Sequence, residues 1–159
     1  MFNMASQTFR AGFTMVEVIA VLMLLGIIGV FGSFFLVNMV KSYQWAEDNA
    51  HLAQKAQVAL TRLAVEMSYT TSPVQIDEDN NTIIYNAIYP GGETVSGNSI
   101  ERNGNGLDII INGANYTLTD RVAGFDLEHG EGNNYFTVTL TMMGANDVPK
   151  VFEKSISLP

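Results

Sequence analysis

From Val18 to Val40 the chain carries 23 residues in which Ser33 and Asn38 are the only polar side chains. Built as a helix rising about 1.5 Å per residue, this run is roughly 34 Å long, enough to cross a hydrocarbon core of roughly 30 Å. It therefore reads as a membrane helix. The parts in front of it narrow the reading: a short, mostly polar leader carrying Arg10, a small-residue boundary at Gly12, and one carboxylate, Glu17, one turn into the helix. A secretory signal peptide places its cleavage site after the apolar segment, which is then discarded. In this chain Asn38-Met39-Val40-Lys41-Ser42-Tyr43 offers no small-x-small boundary, and the plausible cut lies ahead of the apolar run, which would survive processing.

Gly12-Phe13-Thr14-Met15-Val16-Glu17 resembles the cleavage and methylation motif of the type IV pilin family, which includes the pseudopilins of type II secretion. That pattern is Gly, Phe, Ser or Thr, two apolar residues and Glu, with Met15 standing where Leu is more usual. The resemblance implies that a prepilin peptidase cuts between Gly12 and Phe13 and that the new amino group of Phe13 is methylated. It also implies a role for Glu17 in subunit docking. An ionised carboxylate at mid-helix in hydrocarbon costs on the order of 2.5–3.5 kcal/mol on insertion scales. The positive end of the helix dipole relieves part of this, and a Phe13 ammonium four residues away on the same face would relieve more. The plainer alternative is a carboxylate that snorkels to the headgroups.

Gly26, Gly29 and Gly32 recur every third residue within the span. Each weakens a helix in water by roughly 1 kcal/mol relative to alanine, whereas in membranes small residues let helices approach closely. A packing groove for neighbouring subunits and a soft, stretchable stretch are both open. The proline that type IV pilins often carry near the Phe34 position is absent.

Beyond Lys41, Trp45, Leu52, Ala56, Ala59, Leu60, Leu63 and Met67 fall at steps of three and four, predicting an apolar stripe. Glu47, Asp48, Gln54, Lys55, Arg62 and Glu66 are read onto the other faces, with Arg62 and Glu66 as an i,i+4 pair. Ser72-Pro73 is the expected stop, because the residue before proline avoids helical angles. The rest is β-like, with strands expected near Val74–Asp77, Thr82–Ile88, Ser99–Arg102, Leu107–Asn112, Tyr116–Thr119, Val122–Glu128, Tyr135–Met143 and Val151–Leu158. Asn103-Gly104-Asn105-Gly106 and Asn112-Gly113 are hairpin-turn signals, and the stretch from His129 to Asn134 is read as an exposed turn. The expected organisation is a leader over 1–12, a transmembrane or filament-core half-helix over 13–40, an amphipathic half-helix over 41–72, and a β domain over 73–159. The fold class is α+β and type IV pilin-like, one long N-terminal helix packed against a C-terminal antiparallel β-sheet domain.

Composition excludes several functions. The formal charge is −8, and removal of 1–12 takes Arg10 with it, leaving 7 basic against 16 acidic side chains, or −9. Phosphate binding needs a basic footprint, so nucleic acid is disfavoured, although Arg102 and Arg121 leave room for a local basic patch. Zero cysteines exclude disulfides and thiolate metal sites. Many major pilins staple a C-terminal loop with a disulfide, so the absence points to a minor pilin or pseudopilin. The two histidines, His51 and His129, show no metal-ligand spacing and are read as surface residues. Asp108, Asp126 and Glu128 are the carboxylates that could meet in space for acid–base chemistry. Asp77-Glu78-Asp79-Asn80-Asn81-Thr82 starts like a calcium loop but has Thr82 at the sixth position and Ile88 at the twelfth, and is read as a solvated turn. No cofactor or metal is expected. Asn80-Asn81-Thr82 and Asn115-Tyr116-Thr117 are glycosylation triplets by pattern alone.

Ala59-Leu60-Thr61-Arg62-Leu63 and Leu118-Thr119-Asp120-Arg121-Val122-Ala123-Gly124-Phe125-Asp126 are most similar to minor pseudopilin J of type II secretion and the related minor pilin W. The resemblance implies a non-enzymatic subunit of a pseudopilus or pilus in the bacterial inner membrane, with its C-terminal part in the periplasm. Its implied partners are the prepilin peptidase and methylase, other minor and major pilins or pseudopilins, the inner-membrane assembly platform and membrane lipid. The alternative from another class is a single-span anchored binding or adhesion module that never polymerises.

Overall fold

The computed structural model describes residues 12–77, 79–129 and 135–158. Helix α1 covers Met15–Met67, and eight strands follow: β1 (Thr70–Asp77), β2 (Thr82–Ile88), β3 (Thr94–Asn103), β4 (Gly106–Ile111), β5 (Ala114–Thr119), β6 (Val122–His129), β7 (Tyr135–Met143) and β8 (Pro149–Ser157). This is an α+β layout. The chain divides into two compact units, one ending at Gln44 and one running from Trp45 to Pro159.

The first unit is helix from Met15 onward, and its side chains from Phe13 to Val40 are exposed. Its apolar stretch is long enough to cross a membrane, and none of that stretch is buried within the protein. The second unit contains the rest of α1 and all the strands. Leu52, Ala56, Ala59, Leu60, Leu63 and Met67 are buried, as their spacing predicts. Trp45, expected at the top of the same stripe, is instead 42% exposed. Among the described residues the core begins at Leu52, two turns beyond this ring.

The helix stops at Met67, five residues before the expected Ser72-Pro73 break. Its last turn tightens: the Ser68 amide donates to the Ala64 and Val65 carbonyls, and the Tyr69 amide to that of Glu66. Thr70 then pairs with Ala87, so the pull of strand β2 ends the helix before proline does. Pro73 falls between Thr71 and Gln75, at a register shift of an edge strand. Sheets tolerate a residue without an N–H at such a place.

The strands form two antiparallel sheets where one was expected, a five-stranded meander of β1 to β5 and a three-stranded meander of β6 to β8. The break comes after β5. Arg121 takes a left-handed backbone with φ 60°, and the Val122 amide bonds to the Asn105 carbonyl. Period-2 patterning identifies strands but carries no partner information, so this corner is invisible to it. Asn112 and Gly113 both have positive φ (52° and 77°), the backbone that a tight hairpin between β4 and β5 demands. The core joins the helix stripe to Ile83, Tyr85 and Ala87 of β2, Ile100, Leu107 and Ile109, and to Phe125, Leu127, Phe136, Val138, Leu140 and Met142 of the smaller sheet.

Edge strand β8 pairs Lys154 with Val138 and Lys150 with Met142, so two lysines share the inward-facing side with buried β7 residues. Lys150 at the strand's start is exposed, whereas Lys154 is half-buried; an inward-pointing charge there, with Pro149 at the strand start, is a device that discourages edge-to-edge pairing.

Candidate functional site

The start of α1 is built by Thr14. Its carbonyl accepts from the amides of Glu17 (3.1 Å) and Val18 (3.2 Å), and its hydroxyl oxygen lies 3.3 Å from the Glu17 nitrogen. Thr14-Met15-Val16-Glu17 is thus a threonine N-cap followed by an acid three residues on, the pattern of a capping box. This local role for Thr14 was not anticipated from the motif, although the S/T-x-x-E spacing is its signal. Gly12, Phe13 and Thr14 precede the helix, and Phe13 is 81% exposed. Glu17 is exposed in the first turn, where the partial positive charge of the helix end favours a carboxylate.

Along the span, a Cβ placed on Gly12, Gly26, Gly29 or Gly32 would meet no atom within 4 Å, leaving the helix's own backbone aside. Among the described residues there is therefore no steric reason for a glycine at any of them. Ser33 donates its hydroxyl to the Gly29 carbonyl at 2.8 Å, which satisfies it inside the helix.

A second cluster lies where the end of α1 meets the five-stranded sheet. Glu66, placed on an outer face by the sequence, is only 1% exposed. Tyr85 donates to its Oε1 at 3.1 Å, and Tyr89 donates to the same oxygen. Arg62 brings a guanidinium nitrogen to 3.8 Å of Oε2. Asn98, fully buried, reaches the Tyr89 hydroxyl at 3.5 Å through its amide nitrogen and accepts from the Asn112 amide at 3.1 Å. Burial, then the nearby Glu66 carboxylate, pushes the Tyr85 phenol well above its ordinary range; burial and the Glu66 hydrogen bond do the same to Tyr89. The arrangement is a polar clasp between helix and sheet. Its signal was in the spacing, since Glu66 follows Ala59 by seven residues and Leu63 by three, which returns it to the buried face.

The three carboxylates singled out for acid–base chemistry do not share a sheet. Asp108 lies on β4, while Asp126 and Glu128 are exposed on β6. Asp108 is buried and accepts from Asn115 at 3.0 Å and Asn103 at 3.1 Å. The Asn115 bond, with smaller help from Thr117 and Asn103, holds its carboxyl below the usual range against the opposing effect of burial. Asp77 accepts from the Asn80 amide at 3.0 Å and the Asn80 side chain at 2.7 Å, closing the turn on itself; Glu78 lies outside the described residues. Both Asp77 oxygens are engaged in this way. His51 is exposed, 3.9 Å from Glu47. His129 ends strand β6 instead of sitting in the turn, and 130–134 lie outside the described residues. Among the described residues no group of three or more His, Asp or Glu side chains is arranged to hold a metal ion.

Arg102 turns its Nε to the Gly104 carbonyl at 3.0 Å. Lys55 pairs with Asp120 at 2.7 Å, which ties the β5–β6 corner to α1. A groove between α1 and β8 is lined by Gln57, Leu60, Thr61, Phe152, Glu153 and Lys154, a mixed polar and apolar set.

Compared with protein-family models, characterised proteins and solved structures, the chain matches none of them.

Proposed function

We propose that this protein is a structural subunit of the type IV pilin class, a minor pseudopilin or minor pilin, processed at Gly12–Phe13 and assembled through its N-terminal helix. The observation that carries the reading is Glu17, the one charged residue between Phe13 and Val40, set in the first turn of an otherwise apolar helix. For an isolated anchor such a residue serves only the local capping of the first turn, whereas a helix that gives up lipid for neighbouring helices also gains a specific electrostatic partner. The glycines support the same reading. Among the described residues none makes a steric demand for glycine at Gly12, Gly26, Gly29 or Gly32, which fits recognition by an enzyme at Gly12 and close approach by other helices at the rest. Because lipid tails are as apolar as these side chains, burial itself supplies little drive, and specificity falls to Glu17 and shape.

Intact mass and N-terminal sequencing of the membrane-extracted protein test the processing step. A chain starting at a methylated Phe13 is expected; a retained Met1–Gly12 leader would overturn the proposal. Glu17→Ala is expected to be processed normally and to fail to incorporate into filaments, and normal incorporation would remove Glu17 from the assembly mechanism.

A further inference from the structure

The apolar run ends at Val40, and core packing in the second unit begins only at Leu52. In the gap, Lys41, Tyr43 and Trp45 are helical and exposed, Tyr43 by 71% and Trp45 by 42%. Two positions along a helix turn through about 200°, so the two rings stand on nearly opposite sides of α1. A single helix or sheet partner covers one side of a helix, whereas lipid surrounds it.

The heights agree with the thickness of a headgroup layer. At about 1.5 Å per residue, Tyr43 stands roughly 4.5 Å and Trp45 roughly 7.5 Å beyond Val40, and the interfacial layer on each side of a bilayer is roughly 5–7.5 Å deep. Tyrosine and tryptophan favour that layer because a broad apolar ring carries a polar N–H or O–H. The charges are ordered to match: Lys41 stands at the inner edge of this layer, where its four-carbon stem can carry the ammonium out to the phosphates, and the exposed acids Glu47 and Asp48 lie beyond Trp45, where water begins.

We propose that Lys41, Tyr43 and Trp45 form a collar that binds phospholipid headgroups in the leaflet on the C-terminal side, and so sets the depth at which α1 sits in the membrane. The inference rests on α1 crossing a bilayer and stands whether or not Gly12–Phe13 is cut. Trp45 is the only tryptophan in the chain, so its emission reports on this site alone.

The test uses the full-length protein in phosphatidylcholine vesicles containing a minority of phosphatidylglycerol, with bromine placed on the acyl chains either near the carbonyl or near the methyl end. Blue-shifted emission that is lost most with carbonyl-proximal bromine is expected. The same ordering is expected from Tyr43→Trp in a Trp45→Phe background, on the opposite side of the helix. Three results would each overturn the collar: no loss with either lipid, greatest loss with chain-end bromine, or loss at one ring and protection at the other.

Discussion

Glu66 sits near the end of α1 with two phenol hydroxyls donating to a single carboxylate oxygen and the half-exposed Arg62 as a nearby cation. Removing the carboxylate as Glu66→Ala leaves the buried Tyr85 hydroxyl without its acceptor, a cost of about 1–3 kcal/mol, and a smaller one at the half-buried Tyr89. Glu66→Gln keeps an acceptor and is expected to lose less, as urea denaturation of the two variants will show. The same cluster fixes the alkaline limb of stability. Tyr85 and Tyr89 have folded-state pKa values raised above the ordinary 10.0, so above that pH the unfolded chain gives up protons that the folded chain keeps. Their contribution is complete below pH 10 and drains away as pH rises toward the folded values. Tyr85→Phe is expected to flatten that decline in a thermal melt series. Asp108 works with the opposite sign. Its carboxyl is held below the ordinary 3.8 by Asn115 foremost, so its contribution is present above that value and is lost as pH falls through the folded one. Asp108→Asn is expected to blunt acid destabilisation while leaving the alkaline limb alone.

Helix α1 carries two kinds of surface along one run of backbone, and substitutions separate them. Leu63 is fully buried in the core shared by both sheets, and Leu63→Ala is expected to cost about 2–5 kcal/mol through lost transfer energy and a cavity. Trp45 belongs by spacing to the same stripe, yet its ring is exposed. Trp45→Ala is expected to fall within about 0.5 kcal/mol of the parent in denaturant melts in detergent. A loss comparable to that of Leu63→Ala would mean that the ring packs in the core after all. Edge strand β8 shows the converse: its alternation places Lys150 and Lys154 on the inward side, where periodicity leads one to expect apolar residues. Lys154→Val is expected to hold or raise thermal stability and to promote self-association, measured by light scattering, because the inward charge that guards the edge is gone.

Division of the chain near Gln44 has a direct consequence. Among the described residues every member of the buried core lies at Leu52 or beyond, and both sheets form within that part. A chain beginning at Trp45 is therefore expected to be water-soluble, to show mixed α and β circular dichroism and to unfold cooperatively in urea. A gradual, non-cooperative transition would show that the apolar stretch contributes to the fold of the part that follows. The −8 formal charge, with its acids almost all beyond Val40, favours solubility of such a fragment.

The amino-acid order alone determined the elements. An uninterrupted apolar run, a three-and-four stripe and alternating β-branched stretches act within a few residues of one another, so α1, strands β2 and β7 and the Asn-Gly hairpins were legible before any coordinates. Long-range contact decided what those local forces cannot encode. The helix ends at Met67 because Thr70 finds Ala87. Two sheets form because Arg121 turns the chain out of the first. Glu66 is buried because two tyrosines nineteen and twenty-three positions away supply its hydrogen bonds. Periodicity reports which face of an element is apolar; only the partner across the core determines whether a charge on that face can be satisfied.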